Sequence, residues 1–392
     1  MALQIQPEPL RIKQCKVAEE PSSCAHPGFF KDMCIECGKL VGDGYGDSIP
    51  FRYIHKDLRL GSREISRLRN AEAGNVLRQK KLFLVLDLDQ TLLHTANIDS
   101  LSPEEAYLMN QTCSFKDTSK GSLFQFDKRP MITKLRPFVR EFLQEASKMF
   151  EMYIYTMGEP AYGREMAKLL DPRNLYFDSK VISRADCTNR NQKGLDMVLG
   201  FESAVLILDD TESVWERHKD NLILMERYHF FSYTCRQLGN NCKSLAELKL
   251  DENESDGALA AILRVLKSIH YKFFDPEHGD DYASRDVREL LRIIRKEVLK
   301  DCKIVFSLVL KKKTQAADQP LWRMAEQLGA TCSTELDSSV THVVSKDATA
   351  EKSRRAVEEG KFLVNPRWIE AANFLWKRQS EDQFPVVAST AA

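Results

Sequence analysis

The sequence predicts an α/β fold whose largest part is a doubly wound, mostly parallel sheet. Three observations carry that prediction. The runs LFLVL (82–86), MYIYT (152–156) and AVLILDD (204–210) have the continuous hydrophobicity of strands buried on both faces. Helix-like stretches separate them: REFLQEASKMF (140–150), and YGREMAKLL (162–170) with Pro172 beyond its end. The chain has 392 residues, 43% hydrophobic and 29% charged, an ordinary globular composition long enough for two or three cores. In open sheets of this kind the chemistry lies at the carboxyl ends of the strands.

The remaining elements follow in chain order. Residues 1–50 hold Pro, Gly and Cys but no period, and form a Cys/His-containing N-terminal segment. Residues 51–81 read as a basic helix, and 82–245 as the doubly wound domain. Residues 246–300 read as a helical linker region: DENESDG (251–257) is an exposed acidic stretch, and two helical patterns follow it. Residues 301–380 alternate again. KIVFSLVL, THVVS and KFLV are strands, and PLWRMAEQLG, AEKSRRAVEEG and a segment opened by Pro366 are helices. Residues 381–392 read as a disordered tail.

Charge and cysteine usage exclude several classes. Lys+Arg and Asp+Glu both number 57, so the net charge is zero. That zero sums unlike parts: 52–81 carries nine basic and three acidic side chains, while 82–240 carries 19 and 23. No run approaches the ~18 apolar residues of a membrane span, and MALQIQPEPL lacks the pattern of a secretory leader. Ten cysteines are too few for a disulfide scaffold in a chain of this length and read as reduced thiols, some of them metal ligands. The basic stretch would either steer an acidic, multiply phosphorylated partner or contact nucleic acid, or simply form a solvated helix face.

The sharpest motif is LFLVLDLDQT. It delivers Asp87 and Asp89 two residues apart at a strand end, with Thr91 after them. Two carboxylates there suit phosphoryl transfer: one attacks phosphorus, the other handles the leaving-group proton, and a hard divalent cation offsets their charge. The next strands end in Thr156, able to hydrogen-bond a phosphate oxygen, and in Asp209 and Asp210, oxygen ligands suited to Mg²⁺. Lys193 lies between them in sequence, placed to neutralise the shared negative charge.

DLDQT matches the DxDxT signature of haloacid-dehalogenase-type aspartyl phosphatases. KLRPFVREFLQEASKMFEMYIYTMG and KGLDMVLGFESAVLILDDTESVW resemble, more narrowly, the RNA polymerase II C-terminal-domain phosphatases, in particular their plant phosphatase-like branch. The resemblance covers most of 82–240. It implies a Rossmann-like haloacid-dehalogenase domain and a Mg²⁺-dependent protein serine phosphatase that acts in the nucleus. Its substrate would be the phosphorylated C-terminal domain of RNA polymerase II, with manganese or cobalt as replacement ions and general transcription factors as further contacts. Asp87 would be the nucleophile and Asp89 the acid and then the base. Thr156 and Lys193 would hold the phosphoryl group, with Thr91 and Arg184 as substrate contacts. Asp87, Asp89 through its carbonyl, Asp209 and Asp210 would bind Mg²⁺. One departure stands out: the family commonly reads Ser-Arg-Asp-Glu where this chain has Ser183-Arg184-Ala185-Asp186. Only 96–130 is available as an insert after the first motif, too little for a cap domain, so an open site suited to a peptide is expected.

Cys24, His26, Cys34 and Cys37 form a C-x-H…C-x-x-C pattern that suits a structural Zn²⁺, with Cys15 as an alternative ligand. Residues 302–379 resemble a BRCT domain. Ser307 and Lys352 fall at phosphate-reading positions, but Leu308 replaces the usual glycine, so phosphate reading and plain protein docking both stay open. Trp368 reads as core, and His94 as a structural neighbour of the motif loop. Arg78–Lys81 and Lys311–Lys313 are nuclear-import candidates. A second function remains: a catalytically weak phosphoprotein-binding transcription regulator working mainly through the BRCT domain.

Overall fold

The computed structural model describes residues 24–40, 46–114, 121–126, 129–189, 191–237, 243–279, 281–310 and 315–388. Cys15, Lys311–Lys313 and residues 389–392 lie outside them. The strand Leu82–Leu86 is buried at every position and forms the middle of a five-stranded parallel sheet. Phe150–Tyr155 and then Val181–Ile182 pair on one side of it; Val205–Asp209 and then Leu222–Leu224 pair on the other. This is the doubly wound sheet that the apolar runs predicted. A sheet covered by helices on its faces selects such runs because no strand position meets water.

The chain leaves the first motif into Leu93–Asn97, which pairs with Met131–Leu135 and, through it, with Leu123–Gln125 and Cys113–Ser114. The short insert therefore builds a small side sheet. A third sheet, all parallel, has Thr331–Ser333, Lys303–Ser307, His342–Ser345 and Phe362–Val364 side by side. Helices Pro320–Gln327, Glu351–Glu358 and Arg367–Leu375 accompany it, and Trp368 is fully buried.

The structure corrects three expectations about elements. The basic helix is shorter than 51–81. It runs Ser62–Arg78, because Gly61 before it is extended and Leu58–Leu60 is a strand. That strand pairs with Gly28–Phe30 and Ile49–Pro50, and Met33–Cys34 completes a small N-terminal sheet. Secondly, 246–300 is no linker. Helices Ala258–Phe273 and Val287–Lys296 bury Leu259, Ile262, Leu266, Ile269, Val287 and Leu291 in the main core, which runs on to Trp322, Trp368 and Trp376. The stretch DENESDG is likewise engaged: Asp251 pairs with Lys134 at 2.7 Å and Glu252 with the buried Arg136 at 2.6 Å. Thirdly, the described part of the 381–392 tail is tied down, since Glu381 lies 3.2 Å from His342 and 2.8 Å from Arg378.

Candidate active site

The first motif leaves the sheet in a tight turn. The Asp87 N–H donates to the Leu208 carbonyl at 3.0 Å, and Gln90 adopts the left-handed region with φ +66°. The N–H groups of Leu92 and Leu93 both donate to the Leu88 carbonyl, closing the loop on itself. Buried Arg136 locks it from behind. Its guanidinium donates to the Thr91 carbonyl at 3.0 Å, to the Glu226 carbonyl at 3.0 Å, and to both Glu252 oxygens.

Asp87, Asp89, Thr156, Lys193, Asp209 and Asp210 converge on one open cavity of about 420 Å³. Lys193 Nζ donates to Asp87 Oδ1 and to Asp209 Oδ2, both at 2.6 Å. Burial pulls the ammonium down, but Asp87 and Asp209 outweigh it and hold Lys193 above the usual lysine range. Burial pushes Asp87 up, opposed by Lys193 and reinforced by Asp209, Asp210 and Asp89. Asp210 is raised by burial and by Asp209, against Arg227. Asp87, Asp209 and Asp210 each place a carboxylate oxygen within 4.8 Å of the others. One ammonium offsets one unit of that charge, and three crowded carboxylates fit a hard divalent cation.

The two members of the second pair differ. Asp209 is the more tightly held: Oδ2 also accepts from Trp215 Nε1 at 2.8 Å, and Oδ1 accepts from the Thr211 N–H. Asp210 pairs with the half-exposed Arg227 at 2.7 Å and lies nearer solvent. The Asp89 carboxylate is outside the metal-ligand group. Its Oδ1 accepts from Tyr162 Oη at 2.5 Å. Burial raises Asp89, with Tyr162, Lys193 and Thr156 pulling back. A carboxyl raised in this way is suited to carrying a proton.

Thr91, Arg184 and the BRCT pair lie as follows. Thr91 is fully buried, does not line the cavity, and its Oγ1 has no hydrogen-bond partner. Its place in the motif serves the loop, through its carbonyl. Arg184 is exposed, and its Nε donates to the Met157 carbonyl at 3.0 Å. The departing Asp186 has a local use, since it accepts from Ser183 N and Oγ and closes the turn at 183–186. Ser307 is buried, Leu308 is exposed at φ +56°, and Lys352 Nζ donates to the Thr334 carbonyl at 2.7 Å.

Sequence analysis missed Arg136, Tyr162, Trp215 and Arg227. An arginine inside the apolar stretch MITKLRPF was a signal, as was the tryptophan closing DDTESVW. Tyr162 and Arg227 had none. His94 is buried and accepts at Nδ1 from the N–H groups of Phe230 and Phe231, at 3.0 and 3.1 Å.

At the N-terminal sheet, Cys24, His26, Cys34 and Cys37 place their donor atoms within 4.8 Å of one another. Cys24 Sγ and Cys34 Sγ are 3.7 Å apart, as are Cys37 Sγ and His26 Nδ1. Backbone N–H groups of His26 and Glu36 donate to the sulfurs of Cys24 and Cys34. The N–H of Cys37 leads the lowering of the Cys34 thiol to about 6.

Residues 82–272 match the family described as NLI interacting factor-like phosphatase, and 307–368 match the twin BRCT domain. The chain is 55% identical to the RNA polymerase II C-terminal domain phosphatase-like 4 of Arabidopsis thaliana, over 96% of this chain and 86% of that protein. It is 38% identical to phosphatase-like 3 of the same plant, over 85% of this chain and only 27% of that longer protein. Among solved structures, Fcp1, an essential RNA polymerase II CTD phosphatase, superposes with a TM-score of 0.62 at 25% identity. That match covers 82% of this chain and all of the other. The sheet that carries the aspartates at its strand ends thus lies within the matched phosphatase region of this chain, and most of the third sheet lies within the matched BRCT region. The chain belongs to the RNA polymerase II C-terminal-domain phosphatase-like family.

Proposed function

We propose that this protein is a Mg²⁺-dependent serine phosphatase that acts in the nucleus on the phosphorylated C-terminal domain of RNA polymerase II, through an aspartyl-phosphate. The observation that carries the reading is the set of Asp87, Asp89, Lys193, Asp209 and Asp210 around one open cavity. Asp87 attacks phosphorus as the bond to the seryl oxygen breaks. Asp89, held by Tyr162, gives its proton to that oxygen. Asp89 then takes a proton from water as the water attacks phosphorus and releases Asp87 and inorganic phosphate. Lys193 stabilises the charge gathered on the phosphoryl oxygens. Asp87 and Asp210 would hold Mg²⁺ directly, with Asp209 and the Asp89 carbonyl completing the site. When bound, the ion supplies positive charge against the attacking carboxylate and phosphoryl oxygens. The Cys24, His26, Cys34 and Cys37 donors suit a structural zinc ion.

A polymer substrate accords with the surroundings. A second cavity of about 310 Å³ shares Asp89, Gly158 and Tyr162's neighbourhood and continues past Asn97, Arg129 and Tyr233 of the side-sheet region. It lies on the Asp89 side, where the leaving serine would sit. Asp87→Asn should abolish hydrolysis of a phosphoserine heptad peptide while circular dichroism stays unchanged; turnover retained in that variant would contradict the covalent route. General acid catalysis by Asp89 contributes on the order of 10²–10⁴ in rate, so Asp89→Asn should slow peptide turnover by that factor.

A further inference from the structure

The Cys/His group stands apart from the aspartates, yet the chain it orders reaches the catalytic lysine. We propose that Cys24, His26, Cys34 and Cys37 bind one zinc ion whose role is to brace the loop 183–198, so that zinc occupancy sets phosphatase turnover from outside the active site. This rests on the phosphatase reading of Lys193.

The geometry of the donors comes first. Tetrahedral zinc with bonds of about 2.0–2.3 Å sets its ligand atoms roughly 3.5–3.8 Å apart. Two edges of this group, Cys24 Sγ to Cys34 Sγ and Cys37 Sγ to His26 Nδ1, are both 3.7 Å. Gly38, at φ +70°, makes the turn behind the second Cys pair, and its N–H donates to the Cys34 carbonyl.

Secondly, the surrounding sheet is too small to hold itself. Its strands have two or three residues each, and Phe30, Met33, Ile35 and Leu40 are exposed. Such a unit gains its order from metal.

The third link is mechanical. The sheet fixes both ends of the turn 51–57 through the strands Ile49–Pro50 and Leu58–Leu60, and the Phe51 N–H donates to the Leu58 carbonyl. From that turn Arg52 donates to the Ala185 carbonyl at 2.9 Å, and Tyr53 Oη donates to the Met197 carbonyl at 3.0 Å. About two turns into the following helix, Arg69 donates to the carbonyls of Leu195, Asp196 and Val198. The clamps therefore lie on both sides of Lys193. Among its described residues the loop has only the short turns Arg184–Asp186 and Leu195–Met197 and an isolated bridge between Asn189 and Gln192. At its centre the Lys193 N–H donates to the Val214 carbonyl at 2.8 Å and the Gly194 N–H to Tyr155 Oη at 3.2 Å, and the clamps add to these ties by holding the two flanks.

The test uses the full chain. Zinc is measured in purified protein, then stripped with a nitrogen chelator in excess Mg²⁺. Amide exchange is followed in 184–198, with Val205–Asp209 as the control, alongside kcat and KM for a phosphoserine peptide. One zinc per chain is expected. Its removal should speed exchange in 184–198 about tenfold and leave the control strand unchanged. It should also lower kcat about tenfold, with the Mg²⁺ requirement altered less than about twofold, and added zinc should restore both. Arg52→Ala combined with Tyr53→Phe should loosen the same loop while zinc is retained. Absence of zinc, or zinc whose removal leaves loop exchange unchanged, overturns the proposal. If the zinc-loaded protein hydrolyses no phosphopeptide, the phosphatase reading fails separately, and loop exchange still decides the brace.

Discussion

Tyr162 shows how one hydroxyl links the fold to the chemistry. It donates to Asp89 and lies 2.8 Å from Thr95 Oγ1, which in turn meets Thr133 Oγ1 at 2.8 Å. Tyr162→Phe should lower kcat for a phosphopeptide about fivefold to tenfold, since a typical hydrogen bond contributes about 0.5–1.5 kcal/mol net. Gly158 belongs to the same arrangement: a Cβ there would meet the Tyr162 ring at 2.8 Å. His94 gives a pH prediction. Burial lowers it to about 3, with His229 adding to the shift, because its Nδ1 must stay an acceptor for two N–H groups. The unfolded chain binds that proton at about 6.5, so the stability His94 contributes is complete above that pH and declines as pH falls toward about 3. The stability difference between wild type and His94→Asn should shrink by roughly 1.4 kcal/mol per pH unit below about 6. Urea unfolding at pH 7 and pH 5 measures it. The aspartates were legible as residues because carboxylates at strand ends have few structural uses. Tyr162 and Arg227 were not, because their roles arise from neighbours 73 and 17 positions away that only the fold brings close.

At the scale of elements, period and composition revealed every long strand of the main sheet. All five residues of Leu82–Leu86 and of Val205–Asp209 are buried, and among the described residues no helix is long and apolar enough to cross a membrane. The short strands were hidden, since two or three residues carry no period. The stretch 52–81 misled for a related reason: its charge suggested one solvated helix. Several of its cations instead bond inward, with Arg52 and Arg69 on the Lys193 loop and Arg59 on Ser48. Arg136 joins the motif loop to Glu226 and to Glu252 in the stretch before helix Ala258–Phe273. Arg136→Met should cost about 3–5 kcal/mol, because Glu252 and two carbonyls lose their partner, and thermal unfolding should report it.

The whole molecule is more integrated than its alternating pattern suggested. The C-terminal sheet reads as a small unit of its own, but helix Val287–Lys296 packs between it and the main sheet within one core. Gly329, at φ +95°, approaches this helix so closely that a Cβ would come within 1.8 Å of the Lys296 carbonyl. Arg295 bonds Asn373 and faces the Trp376 ring at 5.7 Å. A chain ending at residue 300 should therefore expose the apolar faces of two helices and aggregate or melt at lower temperature. An equally stable truncated protein would show the BRCT unit to be independent.

The covalent step can be isolated with an aryl phosphate, whose leaving group needs no general acid. In Asp89→Asn, Asp87 can still attack, but the base for hydrolysis is lost. With Mg²⁺ and p-nitrophenyl phosphate, the account predicts a burst of about one p-nitrophenolate per chain and a phosphoryl group mapped to Asp87 after acid quench. Steady turnover by the wild type, with no burst in the variant and Asp87 unmodified, would contradict it.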